Sequence, residues 1–239
     1  MDVKEQERVR FFQKREVKTA ILVDGGFYRK RANYLWGKST PSDRADELFK
    51  YCMSLLDDKR EKRNLYRIFY YDCPPIEKNV YNPITKRSVD FAKSADYAWT
   101  NEFYQELRHH RKIALRMGRL SENTIHYNIK FDSFKKLLNG SLNVHDLTES
   151  DLELNLEQKG VDMRIGIDIS SLALKHQVDQ IILISGDSDF VPAAKHARRE
   201  GIDFILAPMG AIIKQDLYEH IDGMINKSKE RITKIHTEP

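Results

Sequence analysis

Aspartates recur in this chain at the ends of apolar runs. Ile181-Ile182-Leu183-Ile184 stops abruptly in Ser185-Gly186-Asp187-Ser188-Asp189. Thr19-Ala20-Ile21-Leu22-Val23 stops in Asp24-Gly25-Gly26, and the run at 65–71 stops in Asp72. Asp162 stands at the start of a helical stretch that also carries Asp168. One such aspartate is ordinary turn chemistry. Several, gathered by parallel strands in one sheet, are what a divalent ion such as Mg²⁺ or Mn²⁺ needs, because it takes oxygen ligands and keeps several waters. Asp187 and Asp189 share one short turn and repel each other unless a cation or a proton lies between them. An ion held there can generate a hydroxide nucleophile and neutralise charge on a transferring phosphoryl group. Zinc is disfavoured for want of a His/Cys set. His109 and His110 are adjacent, point about 100° apart on a helix, and are expected to be solvated.

The elements that must position these residues follow from pattern. The run at 181–184 has no polar alternation, so it is expected to be a strand buried on both faces. Phe190, Ala193, Ala194 and Ala197 then recur at helical spacing, with Pro192 in the first turn and Gly201 past the end. Another apolar run at 202–206 closes a βαβ unit. In open α/β sheets the ligand site lies beyond the carboxyl ends of the strands, where Asp187 and Asp189 stand. Further strands are expected at 19–23, 65–71 and 113–117, the second stopped by Pro74-Pro75. Helices are expected at 27–36, 41–58, 90–110, about 160–175 and 211–221, with Asp162 as N-cap or first-turn residue. Gly25 and Gly26 are read as letting the backbone turn sharply after Asp24. Asp162 and Asp168 face different directions on their helix.

Residues 18–226 are expected to form one α/β domain. Residues 121–159 are read as an insertion, with a strand at 124–129, a helix at 131–138 and an acidic patch, because about forty residues rarely build their own core. Residues 1–17 form either a docking helix or a solvated arm, and 227–239 a polar tail. At 41% hydrophobic the chain of 239 residues can build a core. The net charge of +4 permits nucleic acid as a partner without demanding it. Two cysteines, Cys52 and Cys73, make no disulfide framework and fit a reducing compartment. No apolar stretch reaches the roughly 18 residues of a membrane helix, and no signal peptide opens the chain. A soluble cytoplasmic protein with no membrane partner is expected, and its oligomeric state stays open, a homo-oligomer included.

Five stretches carry a family resemblance: I-L-V-D-G-G-F at 21–27, I-F-Y-Y-D-C-P at 68–74, L-R-M-G-R-L at 115–120, K-G-V-D-M-R-I-G-I-D-I at 159–169 and I-L-I-S-G-D-S-D-F-V-P at 182–192. On these the chain resembles the NYN-domain proteins, a branch of the PIN-like metal-dependent ribonucleases. The last two are the specific ones; the first is weak. The resemblance implies a three-layer PIN-like (Rossmannoid) α/β fold, with a mainly parallel sheet flanked by helices. It implies an acidic cluster binding Mg²⁺ or Mn²⁺ and endonucleolytic hydrolysis of RNA phosphodiesters by an activated water, with 5′-phosphate and 3′-hydroxyl products. The family's acidic positions carry over to Asp24, Asp162, Asp187 and Asp189, with Asp72, Asp168 and Ser185 in a second tier. Asp168 also suits a purely structural role. One departure stands out: Phe27 occupies the neighbourhood where many relatives carry Asn or Ser.

Phosphate contacts would come from Lys195, Arg198 and Arg199 on the polar face of one helix, or from Arg116 and Arg119 near the end of the fourth strand. A solvated face explains the same run. Tyr70, Tyr71 and Trp99 suit either base stacking or core packing. The rival from another class is a catalytically silent RNA-binding or scaffold module on the same fold. A haloacid-dehalogenase phosphatase is disfavoured because Asp24-Gly25-Gly26 lacks a second Asp. A dinucleotide site is disfavoured because no Gly-x-Gly-x-x-Gly follows a strand.

Overall fold

The computed structural model describes residues 14–121 and 125–227. Most of the N-terminal arm, the start of the strand expected at 124–129 and nearly all of the polar tail lie outside the described residues. Strand β1 (Arg15–Asp24) leads into α1 (Gly25–Trp36), and α2 (Pro41–Leu55) returns the chain to β2 (Glu61–Asp72). A hairpin of β3 (Asn79–Asn82) and β4 (Arg87–Asp90) precedes α3 (Ala95–His109) and β5 (Ile113–Met117). The insertion holds β6 (Arg119–Leu120), β7 (His126–Ile129), α4 (Phe131–Leu138), β8 (Leu152–Asn155) and β9 (Gln158–Lys159). Then come α5 (Val161–Leu174), β10 (Gln180–Ile184), α6 (Val191–Arg199), β11 (Asp203–Leu206), α7 (Gln215–Glu219) and β12 (Gly223–Met224).

Six strands form one parallel sheet in the order β12-β11-β10-β1-β2-β5. The chain starts in the middle, builds outward through β2 and β5, then crosses to β10 and builds the other way. The direction of winding reverses between β1 and β10, which makes their carboxyl ends the switch point where such sheets bind ligands.

The unbroken apolar runs are explained by two cores. Ala20, Leu22, Ile181 and Leu183 face one core with Ile165, Ile169, Ala194 and Leu217 of α5, α6 and α7. Ile21, Val23, Ile182 and Ile184 face the other with Tyr28, Leu48, Leu55 and Phe103 of α1, α2 and α3. Successive strand residues point to opposite faces, so a sheet covered on both sides needs apolar residues at every position. Each such Ile or Leu, fully buried, stabilises the fold by about 1.5–3 kcal/mol.

Several boundaries differ from the sequence reading. Strand β1 begins at Arg15, inside the segment expected to be an arm, because residues 15–18 pair with residues 61–64 of β2. The loop after β2 contains the β3–β4 hairpin, whose turn is held by the Asn82 Oδ1, which accepts from the Ile84 N–H at 2.9 Å. The long helix starts at Ala95 because the Ser94 hydroxyl accepts from the Tyr97 N–H and caps it there. The last helix is only Gln215–Glu219; Met209 and Gly210 take positive φ angles of 49° and 70° just before the expected start, and residues 211–214 leave that turn without regular structure.

Gly25 and Gly26 do different work, and neither has a positive φ. A Cβ on Gly25 would lie 2.6 Å from the Tyr70 ring and 2.6 Å from the Tyr71 carbonyl oxygen, so α1 packs on β2 only without a side chain there. A Cβ on Gly26 would meet only Asp24 Oδ1 at 3.6 Å. Gly25→Ala is therefore expected to destabilise by about 2 kcal/mol, overpacking outweighing the gain in helix propensity. Gly26→Ala should be neutral or stabilise by up to about 1 kcal/mol. Denaturant midpoints of the two variants check this, and equal midpoints would remove the close-approach account.

Candidate active site

Asp24 ends β1 and caps α1. Its Oδ1 accepts from the Phe27 N–H at 3.0 Å and its Oδ2 from the Ser185 hydroxyl at 3.2 Å. Ser185 is buried at the end of β10, beside β1 in the sheet, and also accepts from the Asp187 N–H at 3.3 Å. This serine thus ties the first strand to the acidic turn. Asp187 is exposed and caps the short turn that follows, its Oδ1 accepting from the Asp189 N–H at 3.0 Å. Gly186 lets the turn come close: a Cβ there would sit 2.9 Å from the Phe27 ring. Phe27 is therefore a packing wedge against the turn, and its N–H serves Asp24.

Asp162 lies in the first turn of α5, after Gly160, which takes the left-handed conformation at φ 80° as N-cap. Three elements thus deliver carboxylates to one mouth, and they feel one another. Burial pushes the Asp24 carboxyl up to about 6, against the two hydrogen bonds it accepts; the charges of Asp162 and Asp72 add to the rise. Partial burial and then the charges of Asp187 and Asp189 raise Asp162. Among the described residues, no three His, Cys, Asp or Glu side chains come close enough together to hold a metal ion in this conformation. The donor set is nevertheless all oxygen and its charges are mutually repelling, which suits a hard divalent cation.

The second tier divides. Ser185 is in the site. Asp72 is fully buried and ion-paired: the Arg29 Nη2 lies 3.1 Å from Oδ2, the Tyr70 hydroxyl donates to Oδ2 at 3.0 Å, and the Cys73 N–H donates to Oδ1 at 2.8 Å. Asp168 points to the sheet, accepting from the Tyr71 hydroxyl at 2.8 Å and pairing with Arg116 at 3.1 Å. Arg116 also lies over the Phe69 ring, so its charge is engaged in the fold. Arg119 is exposed in β6, whose pairing with β9 closes the base of the insertion just before Asp162.

The basic helical face is at the wrong end. Lys195, Arg198 and Arg199 line a cleft of about 760 Å³ with Gly201 and Ile202, where α6 hands over to β11. A helix between parallel strands runs back from the carboxyl edge of the sheet to the amino edge, and nine residues of helix carry it about 13 Å away. Arg198 is in addition paired with Asp222 at 2.8 Å. The cations on the site's own edge are others. Arg29 and Lys30 line a cleft of about 490 Å³ that begins at Gly26 and runs along α1 to Lys38 beyond its far end, and the Lys214 Nζ donates to the Ser188 hydroxyl at 3.2 Å. Arg29 and Lys30 stand in the second turn of the helix that leaves an acidic strand end, and that position was their one signal in the sequence; Lys38, past the end of that helix, and Lys214 had none. Tyr70 and Tyr71 are core residues, and Trp99 stacks on Phe103. His110 stacks on Phe49, and His109 is exposed. Cys52 and Cys73 are both buried and unbridged.

A doubly wound α/β domain with a six-stranded parallel sheet flanked by helices is a fold of the PIN-like kind. Residues 61–226 match the NYN domain, and the chain belongs to that family. The match takes in Asp162, Asp187 and Asp189; β1 and Asp24 precede it and join through the sheet. NYN domains are nuclease-like RNA-processing domains, and their nucleases are generally dependent on divalent metal. No curated protein matches the chain. Among solved structures, a protein of unknown function from Vibrio parahaemolyticus aligns over 90% of this chain and 94% of its own, at 13% identity and a TM-score of 0.46. A pyrazinamidase/nicotinamidase from Streptococcus mutans aligns over 85% and 91%, at 14% identity and a TM-score of 0.29. Both scores are too low for these likenesses to bear on fold or function. Among the described residues no helix is long and apolar enough to cross a membrane.

Proposed function

We propose that this chain is an Mg²⁺- or Mn²⁺-dependent endoribonuclease, with Asp24, Asp162, Asp187 and Asp189 as the residues that hold the ion directly or through its waters. The observation that carries this is the half-buried Asp24 carboxyl at the switch point, pushed up to about 6 by that burial, with the charges of neighbouring carboxylates adding to the rise. A carboxyl so placed is relieved by a cation. When bound, the ion supplies an activated water and offsets charge on the phosphoryl group. Ser185 orients Asp24, and Lys30 and Lys214 offset the site's repulsion of a polyanion. The acidic side chains at 162, 187 and 189 are exposed, which leaves them room to change rotamer around an ion.

The test is cleavage of mixed RNA by purified protein with Mn²⁺, Mg²⁺ or chelator, paired with melting curves. Cleavage should require the ion. Saturating Mn²⁺, at about a hundred times its Kd, should stabilise by about 2.7 kcal/mol and raise Tm by roughly 5–10 °C. The dispersed carboxylates favour one rival, the silent RNA-binding module. It takes over if neither cleavage nor a Tm shift responds to the ion.

A further inference from the structure

Between the acidic mouth and the insertion lies a second cavity, of about 290 Å³. Pro75, Phe91 and Tyr97 form one wall, and Leu154 and Leu156 of the insertion form the other. Its polar lining is Arg29, Ser94, Asp96, Thr100 and Gln158. Thr100 is 2% exposed with its hydroxyl unpartnered, and the Arg29 Nε is likewise buried without a hydrogen-bond partner. Buried polar atoms left unpaired are unfavourable, and here they give a wall that a ligand can complete.

The cavity adjoins the basic cleft on one side and the start of α5 on the other. Arg29 and Asp96 line it and also line the basic cleft that starts at Gly26. Cys73, on its wall, lies against Gly118: a Cβ on that glycine would meet Cys73 Sγ and Val161 Cγ2, both at 2.9 Å. Val161 immediately precedes Asp162. An apolar slot with aromatic sides and a donor edge therefore sits between a basic track and the carboxylates.

We propose that this cavity is a nucleobase subsite that takes one unstacked base of a single-stranded RNA, whose phosphates run along the Lys30–Lys38 cleft toward the acidic turn. The proposal rests on RNA as the substrate. A base has apolar faces and a polar edge, which matches rings and leucine on the sides and Thr100 and Arg29 at the edge. The volume, at the small end of ligand pockets (about 300–1,000 Å³), admits one ring system and no base pair, so the substrate is single-stranded where it is held. Base selection at that position follows, since Arg29 Nε–H can only donate.

The experiment is fluorescence anisotropy in chelator, with short labelled oligo(A), oligo(C) and oligo(U). Wild-type protein should prefer one of them by on the order of tenfold. Tyr97→Ala should weaken that one by a similar factor. Leu156→Trp fills the slot from a position 40% exposed, so the fold should survive, and it should level the three affinities. Circular dichroism checks the fold of each variant. Equal wild-type affinities, or an unchanged preference in folded Leu156→Trp, would overturn the subsite. Preference without cleavage in Mn²⁺ leaves the subsite standing and removes the nuclease reading. Cleavage with the preference unaltered in Leu156→Trp does the reverse.

Discussion

Asp24→Asn is expected to abolish most cleavage and to make the metal-free protein more stable at pH 8. The carboxyl titrates near 6 in the fold against an ordinary 3.8. A folded value above the unfolded one means that Asp24 favours the fold most below about pH 4, and that this contribution is lost as pH rises through about 6. The charged form at pH 8 thus costs the fold up to about 3 kcal/mol. Asn keeps an acceptor for the Phe27 N–H but exchanges the Ser185 hydrogen bond for a neutral one. The net gain should be about 1–2 kcal/mol, or roughly 3–6 °C in Tm, measured in chelator. The gain should vanish near pH 4. Cleavage should fall about a hundredfold or more, since losing even an outer partner of a metal costs about 10–100-fold. RNA binding without metal should hold or tighten, because a negative charge has left the path of a polyanion. Damage to the fold would lower all of these together. A lower Tm at pH 8, or cleavage equal to wild type, would remove Asp24 from the role proposed.

What could be read in advance was whatever the backbone period and the strand-end rule determine. The run at 181–184 and its partner at 19–23 were unmistakable because a sheet covered on both faces leaves no polar position. Their ends located Asp24, Asp187 and Asp189 without side-chain knowledge. The strand at 113–117 and the helix at 131–138 have the expected bounds. What failed was anything decided by contacts across the chain. Two-residue strands such as β6, β9 and β12 have no period to detect. The polar face of α6 was evident, yet pattern does not say which end of a helix meets the site. Asp168 matched the motif, but its partners Tyr71 and Arg116 come from strands that only folding brings near. Gly25 looked like a turn residue because its constraint, the Tyr71 carbonyl, lies in another strand.

Asp72 belongs to the same class of misreading, and it carries the largest expected loss of stability. It ends its strand as Asp24 does, but Arg29 reaches across from α1 and neutralises it. Arg29→Met should destabilise by about 3 kcal/mol, the low end of the range for an orphaned buried charge, because the Arg29 side chain is itself 25% exposed and its pairing is partly screened. The Tyr70 hydroxyl and the Cys73 N–H would still serve the carboxylate, but neither carries charge. The expected fall in Tm is roughly 6–12 °C. Adding Asp72→Asn to Arg29→Met removes the orphaned charge and should bring stability back to within about 1 kcal/mol of wild type, a coupling that a double-mutant cycle reads directly. Asp72→Asn alone should keep the Mn²⁺-dependent rise in Tm, since its carboxylate already has a cation. Losses that simply add in the double variant would refute the ion pair as Asp72's purpose. Loss of the Mn²⁺ response in Asp72→Asn would return this residue to the metal site.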